Sequence, residues 1–111
     1  MKREILFKAK RIDNGEWVYG SLVIEIRGVC IISFNSVKYT VKSETVCQFT
    51  GLLDKNGNNI FEGDKLKRMN GKIDIVKFDT GQFVNVHDDG QSDYIAVKNK
   101  FEIIGNIHDN D

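Results

Sequence analysis

Apolar and polar residues alternate with period two through much of the chain. Ile5, Phe7 and Ala9 alternate with Glu4, Lys8 and Lys10, with only Leu6 off the pattern, as in a strand that turns one face to a core. Asp13-Asn14-Gly15-Glu16 interrupts this run. Asn-Gly accepts the positive φ of a tight turn, so the chain is expected to reverse here. Trp17 to Ile26 follows as a second strand with Val18, Leu22, Ile24 and Ile26 on one face, and Gly28 breaks it. Val29 to Phe34 is apolar on both faces, the pattern of a strand covered on both sides. Val37, Tyr39 and Val41 alternate again, and Thr45 to Thr50 reads as a further strand stopped by Gly51.

Polar turns then punctuate the chain. Asp54-Lys55-Asn56-Gly57-Asn58-Asn59 forms one cluster, and Glu62-Gly63-Asp64 forms a second corner before Lys65 to Met69. Asn70-Gly71, Thr80-Gly81 and Asp89-Gly90 separate Lys65–Met69, Lys72–Asp79, Gln82–His87 and Tyr94–Lys98, and Phe101 to Ile107 closes the series. Turns at this spacing, with β-branched and aromatic runs between them, predict a mainly β fold of antiparallel sheets or small barrels. No stretch holds a 3.6-residue period over three turns, so any helix is short. One domain over 1–111 is expected, with possible lobes at 1–52, an N-terminal β sheet, and 60–107, a C-terminal small β-barrel.

Composition narrows the partners. The 111 residues carry 16 Lys+Arg and 16 Asp+Glu, a formal net charge of zero, which argues against a chain wrapped along nucleic acid or an acidic membrane. The start, Met1 to Lys8, is basic but lacks the apolar stretch of a signal peptide. The longest strictly apolar run, Val29 to Ile32, is far shorter than the roughly 20 residues that span a bilayer. A cytoplasmic protein with no membrane partner is therefore expected. Cys30 sits in an apolar run and reads as a buried reduced thiol. Cys47 lies between Val46 and Gln48 without a CxxC partner or neighbouring His.

Candidate chemistry is sparse. The Asp54–Glu62 stretch is rich in oxygen donors, but a calcium loop needs Gly at its sixth position and a bidentate carboxylate at its twelfth, where this chain has Asn59 and Lys65. His87-Asp88-Asp89 and His108-Asp109 offer metal ligands, yet neighbouring strand residues point to opposite faces, and the spacing falls short of a structural site. Glu62 and Asp64, two apart around Gly63, could be recruited as a carboxylate pair, but a general acid needs a raised pKa in a pocket, and nothing in the sequence marks one. No G-x-S-x-G elbow or phosphate-cradling loop is present. No cofactor or metal is expected. Two basic clusters remain: Lys2, Arg3, Lys8, Lys10 and Arg11, and then Lys65, Lys67, Arg68 and Lys72 around the Asn70-Gly71 turn. With Trp17, Tyr19 and Tyr39 as stacking faces they are candidate nucleic-acid contacts, although Lys on strands is also a guard against edge pairing.

Three separated blocks resemble one family. Glu44-Thr45-Val46-Cys47-Gln48-Phe49-Thr50-Gly51-Leu52, followed by Asp54-Lys55-Asn56-Gly57 and Ile60-Phe61-Glu62-Gly63-Asp64, is similar to the core signature of the YopX family of phages and prophages. The opening, Arg3 to Ala9 with Trp17-Val18-Tyr19-Gly20, fits as well, as does the close, Phe101 to His108. The sequence departs from the family where Cys47 replaces a usual Gly, near Ser43 where Pro is common, and at Lys65-Leu66. The resemblance implies a β-rich fold with an SH3-like C-terminal barrel, made in a bacterial host cytoplasm, and it supplies no catalytic residues. Read from the residues, Gln48, Thr50, Gly51, Asp54, Gly57, Glu62, Gly63 and Asp64 are scaffold: Asp54 an Asx-turn, Gly51 and Gly57 turn positions, and Glu62-Gly63-Asp64 a tight corner. The preferred expectation is a non-enzymatic binding or assembly protein with a protein partner, itself included, as a homo-oligomer. The alternative is a small nucleic-acid-binding barrel. An enzyme acting through Glu62 and Asp64 ranks last.

Overall fold

A computed structural model describes residues 6–94 and 101–111 of the chain. Strands and turns account for nearly all of it, with one 3-10 turn at Ser43–Thr45. The strands are β1 (Phe7–Lys10), β2 (Trp17–Glu25), β3 (Gly28–Ile32), β4 (Lys38–Val41), β5 (Cys47–Leu53), β6 (Asn59–Phe61), β7 (Asp64–Lys67), β8 (Ile73–Asp79), β9 (Gln82–Val86), β10 (Ser92–Tyr94) and β11 (Glu102–Asn106). Two compact units divide the chain, Met1–Phe49 with Asp111, and Thr50–Asn110. The boundary runs through β5.

In the first unit the strand order is β4-β3-β2-β1-β5, with every pairing antiparallel. The expected reversal at Asn14-Gly15 is present, with Gly15 donating to the Arg11 carbonyl (3.0 Å) and Glu16 donating to Asn14 Oδ1 (2.9 Å). Strand β2 serves two neighbours in succession: Trp17–Gly20 pair with β1, and Ser21–Glu25 pair with β3. The handover is at Gly20, where the backbone of Ile32 passes so close that a Cβ would lie 2.0 Å from its carbonyl oxygen. The sheet then closes on itself. An Arg11–Val41 bridge, with Ile12 donating to the Thr40 carbonyl (3.1 Å) and Lys42 to the Lys10 carbonyl (2.9 Å), joins the end of β4 to the end of β1. Ala9, Ile31 and Val41 fill the centre, with Phe7, Val18, Leu22, Val29, Tyr39 and Val46 packed around them. These contacts cover one end of the β4 edge; an unpaired edge would recruit other strands.

Three details differ from the sequence reading. Ile24 and Ile26 continue the apolar alternation of β2, but they stand at the far end of the β2–β3 hairpin, 77% and 105% exposed. Strand β3 stops at Ile32, which leaves Phe34 exposed in the following turn. Lys8 and Lys10, the polar half of the β1 alternation, are buried rather than solvated: their amines stand 4.4 and 5.5 Å from the Trp17 ring centroid. Cation–π attraction and the long aliphatic stems make such burial tolerable.

The second unit holds a sheet in the order β10-β9-β8-β7-β11, again antiparallel, and β6 lies beside the end of β5. Ile60, Leu66 and Val76 form its centre, flanked by Leu52, Phe83, Phe101 and Ile103. Strand β10, Ser92–Tyr94, shares only Tyr94 with the expected strand Tyr94–Lys98, the rest of which lies outside the described residues.

Candidate functional site

Asp54 and Asp64 of the signature block accept hydrogen bonds from backbone amides and from the Asn106 side chain. Asp54 Oδ1 accepts from the amides of Asn56 and Asn58 (2.9 Å each), and its Oδ2 accepts from Ile103 on β11 (3.1 Å). One side chain thus closes its own turn and ties it to a strand 49 residues away. Asp64 Oδ2 accepts from Phe61 N–H (2.7 Å) and Oδ1 from Asn106 Nδ2 (2.9 Å). The same Asn106 amide reaches the Glu62 carbonyl (3.3 Å), and its oxygen accepts from His108 N–H (2.9 Å). Gly63 sits between them at φ +85°, where a Cβ would meet Asn106 Nδ2 and Ile107 Cγ1, each at 3.2 Å. Thr50 Oγ1 donates to the Ile60 carbonyl (2.8 Å) and accepts from Leu52 N–H (3.1 Å). Gln48 pairs with Phe7, Gly51 is an exposed positive-φ position, and Gly57 donates to the Asp54 carbonyl (3.0 Å). Glu62 enters this network through its carbonyl, whereas Asp64 is buried and engaged; the two do not form an open carboxylate pair.

The candidate nucleic-acid contacts separate. Lys2 and Arg3 lie outside the described residues, and Lys8 and Lys10 are buried on Trp17. Lys65 and Lys67 share the face of β7 opposite to Leu66, with Lys65 half-buried and Lys67 exposed. Arg68 and Lys72 face each other across the end of the β7–β8 hairpin, where Arg68 N–H donates to the Lys72 carbonyl (2.8 Å).

A cluster that the sequence reading did not single out lies on the inner face of this sheet. Asp74, fully buried on β8, accepts from His87 Nδ1 (2.9 Å) and stands 3.2 Å from Arg68 Nε. The register explains it. Thr80-Gly81 sets Asp79 opposite Gln82 and Val76 opposite Asn85, which carries Asp74 opposite His87. A buried carboxylate needs compensating partners; here the imidazole supplies a hydrogen bond and the guanidinium an ion-pair contact, the Arg68 Nε itself having no hydrogen-bond partner among the described residues. Two buried acceptors, Asp74 Oδ2 and Asn85 Oδ1, have no hydrogen-bond partner among the described residues. His87 thus turns to Asp74 rather than joining His108 at a metal, and no grouping of three metal-ligating side chains occurs among the described residues. Arg68, held by Asp74 at its inner nitrogen, also lines a groove with Met69, Asn70 and Phe101.

Neither cysteine is an activated nucleophile. The Cys30 thiol donates to Glu25 Oε1 (3.1 Å), and this bond, with burial, pushes its pKa up. Cys47 is buried and points its Sγ at the Thr45 carbonyl, 3.2 Å away. Neither cysteine forms a disulfide.

A family model described as YopX protein matches residues 7–111. The chain belongs to the YopX family. No curated protein matches it. No helix among the described residues is long and apolar enough to cross a membrane.

In this YopX-family chain the Asp54 turn gives a direct pH prediction. Burial alone would raise the Asp54 carboxyl; the amide donors of Asn58, Ile103 and Asn56 outweigh it, so its pKa lies below the ordinary carboxylate value. A depressed folded-state pKa gives stability that is present above the unfolded value of about 4 and is lost as pH falls through the folded value. Denaturation midpoints measured between about pH 5 and pH 2 should therefore fall more steeply for the natural chain than for Asp54→Asn. Equal slopes would show that the turn is not stabilised by the carboxylate.

Proposed function

We propose that this chain is a phage- or prophage-encoded, non-enzymatic domain of the bacterial host cytoplasm that works by binding protein, a second copy of itself included. The phage origin and compartment rest on the family resemblance. The observation that carries the binding role is the end of the β2–β3 hairpin, where Ile24 and Ile26 stand almost wholly in water. Large apolar side chains placed together at an element's end favour a partner that removes them from water. The signature carboxylates support the non-enzymatic part: Asp54 and Asp64 accept from backbone and amide donors that hold the fold. The alternative, a nucleic-acid-binding barrel, retains Lys65, Lys67, Arg68 and Lys72. Of its first cluster, Lys8 and Lys10 are enclosed.

Light scattering on a size-exclusion column at micromolar concentration is expected to give a mass above 12.7 kDa. Ile24→Asp together with Ile26→Asp should return the monomer and leave the melting temperature nearly unchanged, because substitutions at such exposed positions cost within about 0.5 kcal/mol. A natural chain that is strictly monomeric would remove the self-association. Equal masses for the natural chain and the double variant would move the interface elsewhere.

A further inference from the structure

We infer that a second copy of this chain adds to the sheet of the first unit along the far half of β2, edge to edge and antiparallel, about a two-fold axis at Val23. The inference rests on the self-association reading above and gives that contact a place and a register. Strand β2 has a paired neighbour on only one side at a time: Trp17–Gly20 pair with β1, and Ser21–Glu25 pair with β3. Among the described residues no strand pairs with the β1 side of Ser21–Glu25, because the β1–β2 ladder ends at Phe7 and Gly20. Such an edge presents a row of backbone donors and acceptors that another strand can take up.

The turns at the two ends of β2 fix which groups point outward. Arg11 N–H donates to the Glu16 carbonyl (2.9 Å), and exchanging pairs in an antiparallel ladder recur at every second residue. Val18 and Gly20 therefore turn their backbone groups toward β1, and Leu22 and Ile24 continue that phase. The β2–β3 hairpin gives the same answer independently. Its two-residue turn closes on the Glu25–Gly28 pair, so Glu25, Val23 and Ser21 bond toward β3 and Leu22 and Ile24 face outward.

Symmetry then selects the occupant and the register. Identical strands related by a two-fold axis pair antiparallel with one residue facing itself. With Val23 on the axis, Leu22 faces Ile24 of the second copy and Ile24 faces its Leu22, so each outward amide and carbonyl finds a partner. Ile24, almost wholly in water in the single chain, gains an apolar neighbour on its own face. Glu25 stands opposite Ser21 rather than a like charge, and the turn that carries Ile26 comes to rest at the start of β1, beside half-buried Phe7. An axis at Leu22 would call on Gly20, which is already paired with Phe7. An axis at Ile24 would call on Ile26, which lies in the turn beyond the end of β2. A foreign strand brings no such built-in match.

Hydrogen exchange on the natural chain tests the edge without any substitution. The Leu22 and Ile24 amides should exchange about tenfold more slowly at about ten times the dimer dissociation constant than in dilute solution, whereas Val23, bonded toward β3, should be protected in both. Cross-linking tests the register. Val23→Cys places two thiols across the axis, where facing Cα atoms of a non-hydrogen-bonded pair lie about 4.5 Å apart, within the span of a disulfide. Cys30→Ser is the background, because Cys30 is the β3 residue opposite Val23. Mild oxidation should give a covalent dimer of Val23→Cys, and none of Ser21→Cys, which lies off the axis. Exchange at Leu22 and Ile24 that is the same at every concentration would overturn the inference, with protection then showing an edge covered within one chain. So would a folded Val23→Cys variant that fails to cross-link, or Ser21→Cys cross-linking as well. A natural chain of dimeric mass with any of these results keeps the self-association and loses this edge, whereas a strict monomer loses both.

Discussion

Replacing Gly20 with alanine is expected to unfold the first unit. A Cβ there would lie 2.0 Å from the Ile32 carbonyl oxygen, 2.7 Å from its carbon and 3.0 Å from Ser33 Cα. All three are backbone atoms, so no side-chain rotation relieves the clash. Relief requires β2 and β3 to separate where β2 passes from one neighbour to the other, and that crossing holds Ala9, Ile31 and Val41 together. Overpacking commonly costs about 1–3 kcal/mol when side chains give way; against rigid backbone the cost should reach about 4 kcal/mol or more, among the largest single-residue effects. Gly15→Ala is the control. Nothing lies within 4 Å of its added Cβ, and only the positive φ of 73° is strained, so about 1 kcal/mol is expected. Guanidinium denaturation followed by the fluorescence of Trp17, the sole tryptophan, reads both. Similar midpoints for the two variants would show that the close approach at Gly20 is not maintained in solution.

Asp64→Ala should be nearly as damaging to the second unit. It strands the Phe61 amide and one arm of Asn106, both in a dry environment. Each unsatisfied buried donor costs about 1–3 kcal/mol, and bonds to a charged acceptor are at the stronger end. A loss of about 3–5 kcal/mol follows, a large part of the 5–15 kcal/mol typical of a domain. Asparagine at 64 should not rescue it. Its amide has one acceptor where the carboxylate has two, so its NH2 faces either the Phe61 N–H or the NH2 of Asn106, and turning Asn106 over would present a donor to His108 N–H, whose bond to Asn106 Oδ1 is 2.9 Å. Hydrogen exchange at Phe61 and His108 reports this network directly: both amides should exchange faster in Asp64→Ala and in Asp64→Asn. Protection equal to that of the natural chain would overturn the assignment.

Much of this architecture is legible in the sequence because turns carry local chemistry. Asn14-Gly15, Asn70-Gly71 and Thr80-Gly81 each reverse the chain where they stand, and alternation places the strands between them. The Asp74–His87 contact was also within reach. A two-residue turn at Thr80-Gly81 fixes 79 against 82, and counting outward puts 74 against 87. What concealed it is that β8 is apolar at both phases, with Ile73 and Ile75 on one face and Val76 and Phe78 on the other, so alternation does not say which side is inner. The burial of Lys8 and Lys10 was not legible, because a lysine covered by an aromatic ring from the next strand has the same period as a solvated one. Nor was the exposure of Ile24 and Ile26, since a pattern within one strand does not record how far its neighbours extend.

The bond from Ile103 to Asp54, and that from Asn106 to Asp64, also constrain the order of events during synthesis. Both join segments made more than 40 residues apart, and β11 is the strand that pairs along β7. At about 5–20 residues per second, the ribosome must work for several seconds after Asp54 and Asp64 appear before their partners emerge. Through that interval the nascent second unit carries an uncovered β7 edge, and a message cut short before codon 103 would release it in that condition.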